Sequence, residues 1–138
     1  MKQQWIGWIC AIAMFMPMLS AQATEATDTL LAEYATEAKT DFSAERGATM
    51  WTQQHMQEKL QKPVSCATCH GTDLRRQGEH IRTGKVIEPM AIAVNPERLN
   101  DVKKIRKWLR RNCKWTWGRE CTAQEKGDFL QYITTVGK

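Results

Sequence analysis

Apolar runs of membrane-spanning length are missing from most of this 138-residue chain: beyond Leu19 nothing is long and apolar enough to cross a bilayer. Internal repeats and low-complexity tracts are absent as well. The 20 Lys and Arg outnumber the 15 Asp and Glu, for a formal charge of +5, yet the cations are spread over helix and loop positions rather than interleaved with stacking aromatics. That distribution speaks against nucleic acid and weakly favours acidic partners. No His/Arg pair and no paired carboxylates suited to peroxide chemistry stand out, so the sequence does not declare an enzyme. Proline (4) and glycine (8) are sparse, but Gly71, Gly78, Gly84, Pro89 and Pro96 punctuate one stretch between Gly71 and Asn100. A loop of that length inside a small domain needs a reason, and wrapping a prosthetic group supplies one.

What is present begins with Met1-Lys2-Gln3-Gln4, an apolar run from Trp5 to Leu19, and then Ser20-Ala21-Gln22-Ala23. A short basic start, a brief apolar stretch and an A-x-A site predict a secretory signal peptide over 1–23, cleaved after Ala23; an uncleaved anchor is the competing reading. Cleavage would leave 115 residues, enough for one modest core, and a formal charge of +4 once Lys2 is gone. The expected organisation is a polar helical leader over 24–40 and one domain over 41–138, exported to the periplasm as a monomer.

Cys10 falls inside the signal, so Cys66, Cys69, Cys113 and Cys121 remain. The pentapeptide Cys66-Ala67-Thr68-Cys69-His70 has the C-x-x-C-H spacing of covalent haem attachment. Two thiols so placed can each add to a haem vinyl group, and the next residue's imidazole becomes the proximal iron ligand. On this reading Cys66 and Cys69 hold one haem c and His70 ligates its iron. Zinc sites and thiol-disulfide oxidoreductases use the same cysteine spacing, but the adjoining histidine and the export signal favour haem. With two thiols consumed, an oxidising compartment should couple Cys113 to Cys121, closing a nine-residue loop. Such a bridge contributes about 2.5 kcal/mol on the chain-entropy estimate.

Leu30, Leu31, Tyr34, Ala35 and Ala38 recur at helical spacing, and a break at Thr40-Asp41-Phe42 separates them from a second helix that Ser43 can cap and that presents Gly47, Met50 and Trp51 on one side. Pro63 should end helical structure before the attachment turn. Further on, Asp101 can cap a helix whose Val102, Ile105, Trp108 and Leu109 share a face, while Lys103, Lys104, Arg106, Lys107, Arg110 and Arg111 lie mostly outside it. Such charges mark a solvated face or a docking patch. Trp115-Thr116-Trp117-Gly118, between the two later cysteines, reads as a tight aromatic loop, and Thr122-Ala123-Gln124-Glu125 as the capping box of a last helix carrying Phe129, Leu130, Ile133 and Val136. The fold class implied is all-α: a small helical globule around one haem.

The iron's other axial position decides the chemistry. Met90 is the only methionine after His70, and a thioether there would make a plain electron carrier. His80 and His55 are further donors, each read first as a surface or hydrogen-bonded histidine. Asn112 stands at the predicted end of the cationic helix, where asparagine often merely caps, but neighbouring Cys113 would clamp its orientation if bridged. Asn95 and Asn100 lack such a clamp.

Cys66-Ala67-Thr68-Cys69-His70-Gly71, Arg82 to Met90, Val94-Asn95-Pro96 and, most distinctively, Arg111-Asn112-Cys113-Lys114-Trp115-Thr116-Trp117-Gly118-Arg119-Glu120-Cys121 resemble the sphaeroides haem protein type of cytochrome c, from about Phe42 to Val136. The resemblance implies a class I cytochrome c fold with helices near the two termini crossing beside the haem. It also implies Asn112 as the distal ligand of ferric iron and a Cys113–Cys121 bridge beside it. Reduction would release the asparagine and let ferrous haem take oxygen, nitric oxide or carbon monoxide. The implied electron source is a dihaem cytochrome c, accompanied by a membrane cytochrome b. An amide carbonyl is a hard neutral donor and should hold ferric iron better than ferrous. Trp108, Trp115 and Trp117 are expected in the haem pocket and core packing; cations such as Arg82 and Lys85 could neutralise the haem propionates, a choice the sequence leaves open.

Overall fold

A computed structural model describes residues 25–136; the expected signal peptide over 1–23 lies outside the described residues. The elements in chain order are α1 (Glu25–Ala35), α2 (Ala44–Thr52), β1 (His55–Gln57), β2 (Lys62–Val64), α3 (Cys66–His70), β3 (Gly78–Glu79), β4 (Val86–Ile87), α4 (Val102–Trp117) and α5 (Ala123–Thr135). The fold is mainly helical, as expected, with two short antiparallel ribbons, β1–β2 and β3–β4. Among the described residues, no helix is long and apolar enough to cross a membrane.

Helices α2 and α5 form the principal crossing, and glycine sets how closely they approach. A Cβ on Gly47 would stand 2.2 Å from the Asp128 carbonyl oxygen, and one on Gly127 would stand 2.1 Å from the Phe42 ring. At Gly47 the obstacle is backbone, so only hydrogen fits there; at Gly127 a side chain would have to displace the Phe42 ring. The caps follow the sequence: Ser43 Oγ accepts from Arg46 N at 3.2 Å, and Thr122 and Glu125 close a capping box at α5. Asp128, 2% exposed, draws the two helices together. It accepts from Ser43 N at 2.8 Å and from Arg46 Nε at 2.8 Å, so the buried carboxylate is both hydrogen-bonded and paired.

One apolar cluster centres on Trp51, Leu74, Phe129 and Ile133, the other on Leu30, Tyr34, Ile105 and Leu130. Through the second, the leader helix α1 shares its core with α4 and α5.

Two expectations need correcting. Pro63 does not follow a helix directly: α2 stops at Thr52, and Pro63 pairs with Met56 in the β1–β2 ribbon, where a two-stranded edge tolerates its missing N–H. The expected loop Trp115-Thr116-Trp117 is the last turn of α4, because no glycine or proline interrupts 102–117 and the stop comes at Gly118, φ 70°, in the left-handed conformation glycine adopts freely.

Candidate haem site

A cavity of about 930 Å³ opens between α3, α4 and α5, within the size range of cofactor pockets. Its wall includes Cys66, Cys69 and His70 from α3, Met90 from the following loop, Trp108 and Asn112 from α4, and Phe129 and Ile133 from α5. Both cysteines and the histidine of the attachment motif therefore line one space with Met90 and Asn112.

Local chemistry shapes α3. Ser65 N donates to Thr68 Oγ1 at 2.8 Å at its start, and Gly71, φ 73°, ends it with its N–H on the Ala67 carbonyl at 2.8 Å. Trp51 braces the motif: its ring lies 5.5 Å from the His70 ring, and its Nε1 donates to the Gly71 carbonyl at 2.9 Å. Burial, followed by the Arg98 charge, pushes the His70 pKa down to about 4, so the imidazole is neutral at pH 7, the form that ligates a metal. Its buried Nδ1 has no hydrogen-bond partner among the described residues. Burial pushes the Cys66 thiol up to about 12, which keeps it protonated and ill suited to thiol-redox chemistry. Cys113 and Cys121 are joined in a disulfide, Cα–Cα 5.7 Å, so four free cysteines are not available to zinc. No group of three or more metal-ligating side chains occurs among the described residues. A spacious cavity whose wall joins a neutral histidine to two thiols fits a covalently tethered porphyrin.

Asn112 lies inside α4, five residues short of its end, so it does not serve as the cap that the sequence pattern allowed. The chain has three asparagines. Asn95 Nδ2 donates to the Pro89 carbonyl at 3.0 Å and Asn100 Nδ2 to Glu97 at 2.8 Å, whereas the Asn112 carboxamide makes no hydrogen bond among the described residues. The backbone carrying it is held from two sides. The Cys113–Cys121 bridge ties it to the start of α5, and Gln57 of β1 donates to the Trp115 carbonyl at 2.6 Å, satisfying one of the orphan acceptors of a helix terminus.

Met90 shares the wall but packs partly into the core, its N–H on the Leu74 carbonyl at 3.0 Å. His80 also reaches the wall, and its Nδ1 accepts from Arg82 N at 3.3 Å. His55 is partly exposed but not hydrogen-bonded through Nε2: it lies outside the cavity lining, 4.7 Å from the Trp117 ring, with that nitrogen buried and without a partner among the described residues. Trp108, Trp115 and Trp117 line the cavity as expected, but Arg82 and Lys85 do not; Arg98, Lys104 and Arg111 are among the cations that do. Arg98 went unnoticed in the sequence. It donates to the Pro89 carbonyl at 3.1 Å and the Glu88 carbonyl at 2.6 Å, shaping the loop beside His70, and no motif marks such a role.

Residues 37–133 match a family described as Domain of unknown function (DUF1924). The chain is 41% identical over 104 residues to the cytochrome c-type protein SHP of Cereibacter sphaeroides, covering 75% of this chain and 79% of the relative. It is 35% identical over 77 residues to cytochrome c'' of Methylophilus methylotrophus, covering 56% and 54%. Among solved structures, oxidized SHP, an oxygen binding cytochrome c, matches with a TM-score of 0.72 at 39% identity, covering 80% of this chain and 97% of that one. Oxidized cytochrome c'' from Methylophilus methylotrophus matches with a TM-score of 0.73 at 28% identity, covering 82% and 96%.

Proposed function

This chain belongs to the DUF1924 family and, with its relative SHP, to the c-type cytochromes that carry a covalent haem c, and on that premise we propose that it is a periplasmic electron carrier whose distal position opens to oxygen, nitric oxide or carbon monoxide on reduction. Cys66 and Cys69 would tether the haem, and His70 and Asn112 would hold its iron in the oxidised form. The carboxamide of Asn112, the one of the three asparagines without a hydrogen-bond partner among the described residues, lines the same cavity as His70, and this carries the reading. The relative SHP is an oxygen binding cytochrome c, which supports the gas-binding part of it.

The haem supplies a one-electron couple and, where a coordination position is open, affinity for diatomic gases. The protein's share is to decide when that position opens. Asn112 Oδ1 would offer the iron a neutral hard donor, a type that suits oxidised metal better than reduced. The residue cannot drift far, because the disulfide and Gln57 hold the last turn of α4. Its N–H would be available as a hydrogen-bond donor to a bound diatomic gas. His70, kept neutral by burial and braced by Trp51, would be the histidine ligand. A dihaem cytochrome c is the electron source this reading implies.

The test is an optical spectrum of Asn112→Val holoprotein. Ferric iron should become five-coordinate or water-bound, and the ferrous form should still shift under carbon monoxide. An unchanged ferric spectrum would remove Asn112 from the distal position. Met90, on the same wall, is the rival: thioether ligation of ferric iron, lost in Met90→Ala, would leave an ordinary electron carrier.

A further inference from the structure

We infer that the outer face of α4 is a docking surface for an acidic protein electron donor, an inference that rests on the electron-transfer reading above. Between Val102 and Trp117 the sequence places seven Lys and Arg and no Asp or Glu. Arg106 pairs with Glu33 of α1, and Lys114 with Glu120 at 3.0 Å. The other five cations have no ion-pair partner among the described residues. Lys103, Lys107 and Arg110, all exposed, follow one another at i, i+4 and i+7, while Lys104 and Arg111 run beside them on the wall of the haem cavity.

Local helix physics works against this arrangement. Lys103 and Lys104 occupy the first turn, where the macrodipole disfavours cations, and Lys103–Lys107, Lys107–Arg111 and Arg106–Arg110 are like-charged pairs four residues apart. A face that only had to be solvated would do better with mixed signs. An opposite charge from outside offsets the repulsion, and the stripe borders the cavity, so an acidic partner seated on it would stand beside the redox centre. Half-exposed Trp108, with the Arg111 guanidinium 5.0 Å over its ring, adds the aromatic and arginine pairing that protein interfaces concentrate. Opposed potentials of this kind act mainly on the encounter rate.

The test uses holoprotein with two donors: an acidic flavodoxin in its hydroquinone form, and photoreduced lumiflavin, small and nearly uncharged. In the first reaction one electron passes to ferric iron, leaving flavin semiquinone and ferrous iron. Flavodoxin should reduce the wild type rapidly at low salt and more slowly as salt screens the charges. The triple variant Lys103→Glu, Lys107→Glu, Arg110→Glu should be reduced slower by on the order of tenfold or more, with the neutral Lys103→Gln, Lys107→Gln, Arg110→Gln variant between. Lumiflavin rates should be equal in all three, and the neutral variant should melt no lower than the wild type, since like-charge pairs are removed. Equal flavodoxin rates in wild type and variants would overturn the inference, as would variants that lose only binding to anionic lipid vesicles. A wild-type haem that lumiflavin fails to reduce would sink the electron-transfer reading itself.

Discussion

His55 and Trp117 lie ring to ring, each with a buried nitrogen that finds no partner among the described residues. Burial, and after it the nearby Arg119 charge, holds the His55 pKa below its ordinary 6.5. The unfolded chain then takes up the proton more readily than the folded one. Stability from this site is therefore complete above pH 6.5 and falls as the pH drops towards the lower folded value. Denaturation midpoints measured between about pH 7 and about pH 5 should decline in the wild type and decline less in His55→Phe, which keeps the ring and removes the titration. Nothing in the sequence around His55 marks this pairing, because the two rings are 62 positions apart and meet only through the β1–β2 ribbon and the end of α4.

At the scale of elements, α4 decides the site. Its cap at Asp101, whose side chain accepts from Lys104 N at 2.9 Å, and its apolar face at Ile105 and Leu109 were legible from composition and spacing. Its end was not, because two cysteines bracketing Trp115 and Trp117 look like a pinched loop, while the true stop is the left-handed Gly118. The β1–β2 ribbon was equally opaque: strands of three residues are too short for a period of two to register. Yet Gln57 on that ribbon and the Cys113–Cys121 bridge together fix the turn that follows Asn112. Replacing both cysteines by serine should lower stability by about 2–3 kcal/mol in chemical denaturation. The same variant should broaden the ferric spectrum into a mixture of ligation states if Asn112 loses its fixed orientation. A single unchanged ferric species would show that the ribbon alone suffices.

For the whole molecule, the leader is part of what holds the helices together. Leu30, fully buried, sits with Tyr34 against Ile105 of α4 and Leu130 of α5, so α1 spans the helix that carries Asn112 and the helix of the principal crossing. Leu30→Ala should cost about 2–5 kcal/mol through lost burial and the cavity left behind. Thermal unfolding of the holoprotein measures that loss, and a shift under about 1 kcal/mol would mean α1 is dispensable to the core. The α2–α5 crossing sets the limit on repacking, since Gly47 stands against the Asp128 backbone and leaves no room for even one methyl group.

The sequence by itself determined the covalent chemistry and the architecture's ingredients. The C-x-x-C-H pentapeptide, the capping residues Ser43, Asp101 and Thr122 and the helical apolar periods are all local signals, readable because each depends on neighbours within a few positions. Tertiary structure alone decided what those ingredients surround. It placed Asn112 and Met90 in the lining of one cavity with His70, left the Asn112 carboxamide without a partner among the described residues while Asn95 and Asn100 found theirs, and brought the Arg98 charge near His70. Which donor meets the metal depends on how segments forty residues apart come together, and no local pattern of residues encodes that.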